Sequence, residues 1–233
     1  MSDEQRQVLK TALAGHNLLL SVQARTGKLY VVNGLGTLRG WGKKVVVVCS
    51  SGISCLVYGE GVKSSTVHSH YALQTADMPA EMVIERSASI PHFVKRIKAA
   101  DTIIWDEAGM SSKRIFQLVN AIQHEIADER DISKPFASKQ MILVGEFLQL
   151  KPLPGTFDDG EFMLHSRLFT VAIPYRFELK QLMRQNLAEK TFITALKELR
   201  QGICSPETEG FLKCLDRPLE GDAIDIFFTK LLV

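Results

Sequence analysis

The chain has 233 residues, 45% of them hydrophobic and 23% charged, and its 28 basic side chains against 26 acidic ones leave a formal charge of +2. That apolar content sets aside a disordered tail and fits one α/β domain with a partial extra element, while the near-neutral balance leaves room for a DNA surface only as a local patch. No apolar stretch reaches the roughly 18 residues of a bilayer span, and the opening Met1-Ser2-Asp3-Glu4-Gln5 is polar and acidic, unlike a secretory signal, so a soluble intracellular protein with no membrane partner is expected.

In chain order, residues 4 to 14 read as a helix stopped by Gly15, and Asn17 to Val22 as a buried strand. Residues 28 to 39 can form a helix that Gly34 and Gly36 weaken. The unbroken run Val45-Val46-Val47-Val48-Cys49 suits a central parallel strand covered on both faces. A short helix is expected over 52 to 58. Residues 66 to 90 look irregular, with Pro79 and Pro91 breaking any long element.

A helix near 92 to 99 leads into a strand at 102 to 105. Ser111 or Ser112 can cap the next helix, in which Ile115, Leu118, Val119 and Ile122 recur at three- and four-residue steps. Residues 127 to 139 read as a charged, exposed connection, and Met141 to Val144 as a fourth strand closed by Gly145. Prolines and glycines make 151 to 165 a loop. A fifth strand is expected within 171 to 180, at an edge or broken because of Pro174. Residues 187 to 200 form an amphipathic helix, and the apolar run Ile224 to Val233 a final strand. Cys49, Cys55, Cys204 and Cys214 follow no zinc or redox spacing and are expected as small buried thiols.

Two features carry chemistry. The first strand runs into Val22-Gln23-Ala24-Arg25-Thr26-Gly27-Lys28-Leu29, which keeps the Gly-Lys of a phosphate loop, G-x-x-x-x-G-K-[ST]. In such a loop backbone N–H groups and the lysine meet phosphates and the last hydroxyl ligates magnesium. Here Val22 replaces the first glycine, and Leu29 has no donor or acceptor to offer a cation. Alone, Thr-Gly-Lys is a weak signal that an ordinary exposed turn also fits. The second feature is Ile103-Ile104-Trp105-Asp106-Glu107, an apolar strand ending in two carboxylates. Asp106 suits a magnesium ion held through water, and Glu107 a base for the water attacking a γ-phosphate. Two acids there also suit a plain helix start. Gln149, past the strand that Gly145 closes, has an amide able to sense a γ-phosphate, or lies on an ordinary surface loop. Arg184 before a helix can neutralise phosphate charge, or be solvated.

Taken together, these blocks resemble the petite-integration-frequency (Pif) type of superfamily-one DNA helicases. That family has Glu-Gln near its start, then G-x-A-G-T-G-K-S, T-G-x-A-A, T-[IL]-H-S, [IV]-D-E-x-S-M, G-D-x-x-Q-L-P-P and R-Q. The chain has Glu4-Gln5, Ala24-Arg25-Thr26-Gly27-Lys28-Leu29, Ser51-Gly52-Ile53-Ser54-Cys55, Thr66-Val67-His68-Ser69, Asp106-Glu107-Ala108-Gly109-Met110, Gly145-Glu146-Phe147-Leu148-Gln149-Leu150 and Arg184-Gln185, in that order.

The resemblance implies a RecA-like P-loop NTPase domain with a mostly parallel sheet flanked by helices. It implies ATP and Mg2+ as cofactors, single-stranded or forked DNA as partner, 5′ to 3′ unwinding, roles in repair, recombination and telomere maintenance, and a nuclear or mitochondrial location. Gln5 then reads adenine, Lys28 holds phosphates, Asp106 and Glu107 serve metal and water, Gln149 senses the γ-phosphate and Arg184 is the arginine finger. Ser51, Gly52, Thr66, His68 and Ser69 line the DNA path, with Tyr71 placed to stack on a base. The resemblance also implies a first lobe over 1–202, with 203–233 as linker and first strand of a second lobe.

The departures are Arg25 for glycine, Leu29 for the hydroxyl, Gly109 for serine, Glu146 for aspartate and Lys151 for proline. They predict impaired hydrolysis, weak ATP binding and little gain from magnesium. The alternative expectation is an inactive helicase remnant that keeps the fold and weak DNA contact.

Overall fold

Short apolar runs separated by helical segments force a parallel arrangement, because each strand must cross over before it can pair in the same direction. The computed structural model of the protein describes residues 2–22, 27–36, 40, 42–58, 62–179 and 190–215. Among them, six strands form one sheet: β1 (Leu18–Val22), β2 (Val45–Cys49), β3 (Ser64–Thr66), β4 (Thr102–Asp106), β5 (Gln140–Gly145) and β6 (Tyr175–Leu179). Their order is β3-β2-β4-β5-β1-β6, and every neighbouring pair is parallel. The α/β class and the parallel sheet are as expected.

Side-chain alternation divides the core into two. Leu18, Leu20, Val45, Val47, Ile104, Ile142 and Val144 point to one face. There they meet Val8 and Ala12 of α1 (Asp3–Leu13) and Val31, Val32 and Leu35 of α2 (Lys28–Gly36). Leu19, Val48, Ile103, Trp105, Met141 and Leu143 point to the other face. That layer takes in Val83 of α5 (Ala80–Ser89), Ile97 of α6 (Pro91–Ala99), Phe116 and Val119 of α7 (Lys113–Glu125) and Phe169 of α8 (Arg167–Ala172). Strands buried on both faces explain why their sequences are unbroken apolar runs.

Polar groups close the amino-terminal edge of the sheet. Gln140 accepts from Thr102 Oγ1 at 2.9 Å and donates to the carbonyls of Ala12 and His16 at 2.8 and 2.9 Å, which ties α1 to β4 and β5. Gly15, at φ +85°, turns the chain out of α1 in the left-handed region that glycine adopts without strain.

Four expectations need correction. Residues 66 to 90 are irregular only over 71–79: β3 is an edge strand, α4 (Val67–His70) follows, and α5 fills the interval between the two prolines. Pro79 is the cap of α5 and Pro91 the first residue of α6, so the prolines start helices rather than break them. The connection 127 to 139 is not wholly exposed, because Phe136 is fully buried edge-on to Phe116 with ring centroids 5.1 Å apart. The expected strand at 171 to 180 begins only after Pro174, its first residues belonging to α8, and it does lie at the sheet edge. Of the four cysteines, Cys49 is buried and Cys55 half-buried, while Cys204 and Cys214 are exposed.

The chain divides into two compact units, residues 1–184 and 185–233. The second holds α9 (Lys190–Arg200) and the unforeseen α10 (Pro206–Leu215). Phe192 and Phe211 pair at 6.3 Å, and Glu198 accepts from the Ser205 N–H at 3.0 Å in the connecting turn. The expected strand 224–233 lies outside the described residues.

Beyond the carboxyl ends of β4 and β5 the two loops touch backbone to backbone. A Cβ added at Gly109 would collide with the Glu146 carbonyl oxygen, and one at Gly145 would lie 2.9 Å from the amide nitrogens of Ala108 and Gly109. Neither obstacle is a side chain that can swing away. Gly109→Ala is therefore expected to destabilise the chain by about 1–3 kcal/mol, as overpacking does. A lower urea midpoint at unchanged slope checks it; an unchanged midpoint would refute the close approach.

Candidate functional site

Asp106 ends β4 with the same parity as Thr102 and Ile104, so its side chain points to the face that α1 and α2 cover. The carboxylate is 2% exposed, and a buried charge requires partners. It has three. Lys28 Nζ stands 3.2 Å from Oδ1, the Glu107 N–H donates to Oδ1 at 2.9 Å, and the Tyr58 hydroxyl donates to Oδ2 at 2.5 Å. Glu107 is in the left-handed region, φ +53°, an uncommon conformation for a non-glycine residue. The turn that follows brings its carboxylate onto the same lysine, to which it is hydrogen-bonded.

Lys28 is the first residue of α2, preceded by Gly27 at φ +85°, so the lysine and the unpaired N–H groups of the helix start sit at one point. Burial disfavours the charge on Lys28, but its hydrogen bond to Glu107 and the charges of Asp106 and Glu107 outweigh that and raise the amine above its ordinary range. Tyr58 is pushed up by burial and by the adjacent Asp106 charge, so the phenol stays protonated and able to donate.

The structure thus gathers Lys28, Asp106 and Glu107 at the carboxyl ends of β1 and β4, where open α/β sheets bind ligands. Leu29 follows on α2, exposed. Gln149 is exposed on the loop after β5. Gln5 is buried in a capping box with Ser2, its carboxamide oxygen accepting from the Ser2 N–H at 3.0 Å. Ala24, Arg25, Thr26 and Arg184 lie outside the described residues.

The segments expected along a DNA path are mostly helix starts. Ser51 caps α3 (Gly52–Leu56) at the Ser54 N–H, and Thr66 caps α4 at the Ser69 N–H. Gly52 and Ser69 are exposed and His68 is half-buried. His68 lines a cleft of about 430 Å³ with Ser50, Asp77, Ser111, Lys151 and Asp158. Ser50 is fixed there by Ser111 at 2.8 Å and by the Trp105 indole N–H at 3.1 Å.

Tyr71 is a correction. Its ring is fully buried among α5 to α7, and its hydroxyl accepts from Gln123 at 2.5 Å, so no base can stack on it in this fold. The residue that sequence reasoning missed is Tyr58. It belongs to no motif, and only the tertiary fold shows that its hydroxyl meets Asp106.

Among the described residues no helix is long and apolar enough to cross a membrane. A sequence profile of the family described as PIF1-like helicase matches residues 1–210. The ATP-dependent DNA helicase PIF1 of Danio rerio is 30% identical over 226 residues, 96% of this chain and 34% of that protein. The crystal structure of Pif1 helicase from Candida albicans superposes with a TM-score of 0.81 at 27% identity, over 94% of this chain and 48% of that one. Pif1 helicase from Bacteroides in complex with ADP-AlF3 and ssDNA gives 0.76 at 18% identity over 96% of this chain and 52% of that one, a likeness in fold alone. The chain therefore spans about a third of that curated relative and about half of those solved chains.

Helix α4 turns His68 and Ser69 outward and Val67 and His70 inward. Arg96 braces it from behind, donating to the carbonyls of Ser69 and His70. Burial, then the charges of Arg96 and Lys139, push His70 down to about 4. The unfolded chain takes up this proton near pH 6.5 and the folded chain only near pH 4, so the fold is fully favoured above 6.5 and loses stability as pH falls between them. Between about pH 7.5 and about pH 5 the loss from His70 is expected to be about 2 kcal/mol. Urea midpoints at the two pH values should differ by less in His70→Phe; equal differences in both proteins would refute the assignment.

Proposed function

Because the chain belongs to the PIF1-like helicase family and has the fold of its RecA-like domain, we propose that it supplies the nucleotide-binding lobe of an ATP-dependent 5′ to 3′ DNA helicase. The observation that carries this is the meeting of Lys28, Asp106 and Glu107 at the strand ends. One cation and two acids there are what phosphoryl transfer to water requires: charge neutralisation on the phosphates and a base for the attacking oxygen.

In this reading residues 1–202 are the first lobe and 203–233 the linker and opening strand of the second. Without nucleotide, Lys28 and Glu107 occupy each other. Phosphates entering at the start of α2 draw the ammonium onto their oxygens and release Glu107 to accept a proton from water. Asp106 is a hard oxygen donor that suits a hydrated magnesium ion, and a bound magnesium would neutralise charge on the β- and γ-phosphates. Gln5 would meet adenine, Gln149 the γ-phosphate, and Arg184 the transition-state charge. Single-stranded DNA would run past Ser51, Gly52, Thr66, His68 and Ser69, a course supported by the cleft that His68 lines. Roles in repair, recombination or telomere maintenance, and a nuclear or mitochondrial site of action, extend the same reading.

Leu29 favours a second reading, a lobe that keeps fold and DNA contact without catalysis, since its side chain cannot ligate a metal. Nucleotide binding and turnover separate the two. On the first reading Glu107→Gln still binds ATP but hydrolyses it at least about a hundredfold more slowly, and Lys28→Ala weakens binding about tenfold or more. Binding of single-stranded DNA with no turnover by the unaltered chain would establish the second. Equal turnover by the unaltered chain and Glu107→Gln would overturn the assignment of the base.

A further inference from the structure

A phosphate loop that ends in Ser or Thr places a hydroxyl beside the carboxylate that serves magnesium. This chain has Leu29 at that position, yet the structure puts a hydroxyl against the same carboxylate from another part of the sheet. Tyr58 follows α3, its N–H bonded to the Cys55 carbonyl at 3.3 Å. Its ring is 6% exposed and packs in the layer of α1, α2, β2 and Ile104. From there the hydroxyl reaches Asp106 Oδ2 at 2.5 Å.

The two oxygens of Asp106 are thereby distinguished. Oδ2 faces the Tyr58 hydroxyl, while Oδ1 faces the Glu107 N–H and Lys28 Nζ. If Lys28 moves to a phosphate, Oδ1 loses one partner and becomes free to accept from a water. The carboxylate plane must then be held by what remains, the Glu107 N–H on one oxygen and Tyr58 on the other. With a phenylalanine at 58, Oδ2 would be a buried acceptor without that donor, and the group would be free to rotate.

We propose that Tyr58 is the positioning residue for Asp106, its hydroxyl taking over at this carboxylate the place left by Leu29. The proposal rests on the reading that Asp106 serves a magnesium-bound nucleotide. It also changes the expectation drawn from Leu29 alone: magnesium strengthens ATP binding in this chain, through water held on Oδ1, although the loop supplies no hydroxyl. Tyr58 does not touch the nucleotide and acts only through Asp106.

The test is the dissociation constant of a fluorescent ATP analogue for the full chain, with magnesium and with EDTA. It is measured for the unaltered protein, Tyr58→Phe, Asp106→Asn and the double variant. Tyr58→Phe should lose about tenfold of the gain from magnesium, the size of one hydrogen bond to a charged group, while its affinity in EDTA is unchanged. Asp106→Asn should lose the gain as well, and the double variant should be no worse than Asp106→Asn. Adding Leu29→Ser to Tyr58→Phe should restore the gain.

An undiminished gain in Tyr58→Phe overturns the proposal. So does an equal loss with and without magnesium, which is what a merely structural role would produce, or independent additive losses in the double variant. Failure of the unaltered chain to bind the analogue under either condition overturns the nucleotide reading and this proposal together, whereas binding that ignores Tyr58 removes only the latter.

Discussion

A carboxylate at the tip of a strand covered on both faces cannot remain charged without partners, and the arrangement around Asp106 answers that constraint. Breaking such a pair by removing one partner typically costs about 3–5 kcal/mol, because the other charge is left buried and alone. Asp106 therefore binds the start of α2 through Lys28, the turn after α3 through Tyr58, and its own following turn through the Glu107 N–H. Three segments distant in sequence are fixed relative to one another by a single group. The site and the fold share that interaction.

Gly109, after β4, and Gly145, at the end of β5, allow it. Gly109 and Gly145 let the two loops approach without an intervening Cβ, which sets the position of the Glu107 turn against the Glu146 backbone. Glycine in place of the family's serine at 109 is thus not an isolated loss, since a serine Cβ would meet the Glu146 carbonyl on this backbone. The close approach keeps Glu107 at the edge of the site and Ser111 facing Ser50.

The cleft wall that carries His68 is built differently. His68 and Ser69 stand on a helix of four residues, α4, too short to hold itself, and its stability comes from Val67 in the core and from Arg96 on its last carbonyls. Arg96 also lies 4.6 Å from the Phe93 ring, so α6 fixes the guanidinium that fixes α4. The exposed polar groups His68 and Ser69 are in this way carried by an apolar layer beneath them. Tyr71 belongs to that layer, and this is why an aromatic side chain next to exposed polar residues is unavailable for stacking.

Five of the six described strands, the class of the fold and the grouping of Lys28 with Asp106 and Glu107 were legible in the amino-acid order, because unbroken apolar runs and a carboxylate pair are local patterns that a period and a spacing express. So was the start of α7, expected at Ser111 or Ser112 and found at Ser112, because capping chemistry depends on a few adjacent residues. The elements within 64–89 were hidden, since β3 and α4 are short and their stability, like that of α5, comes from packing against the rest of the fold: α4 on the core through Val67 and on α6 through Arg96, α5 on α7. The partner of Asp106 was hidden as well: 48 residues separate Tyr58 from it, and only the parallel pairing of β2 with β4 brings the phenol to the carboxylate. Local chemistry set which groups were available. Strand order and side-chain parity, which are properties of the whole sheet, decided which of them meet.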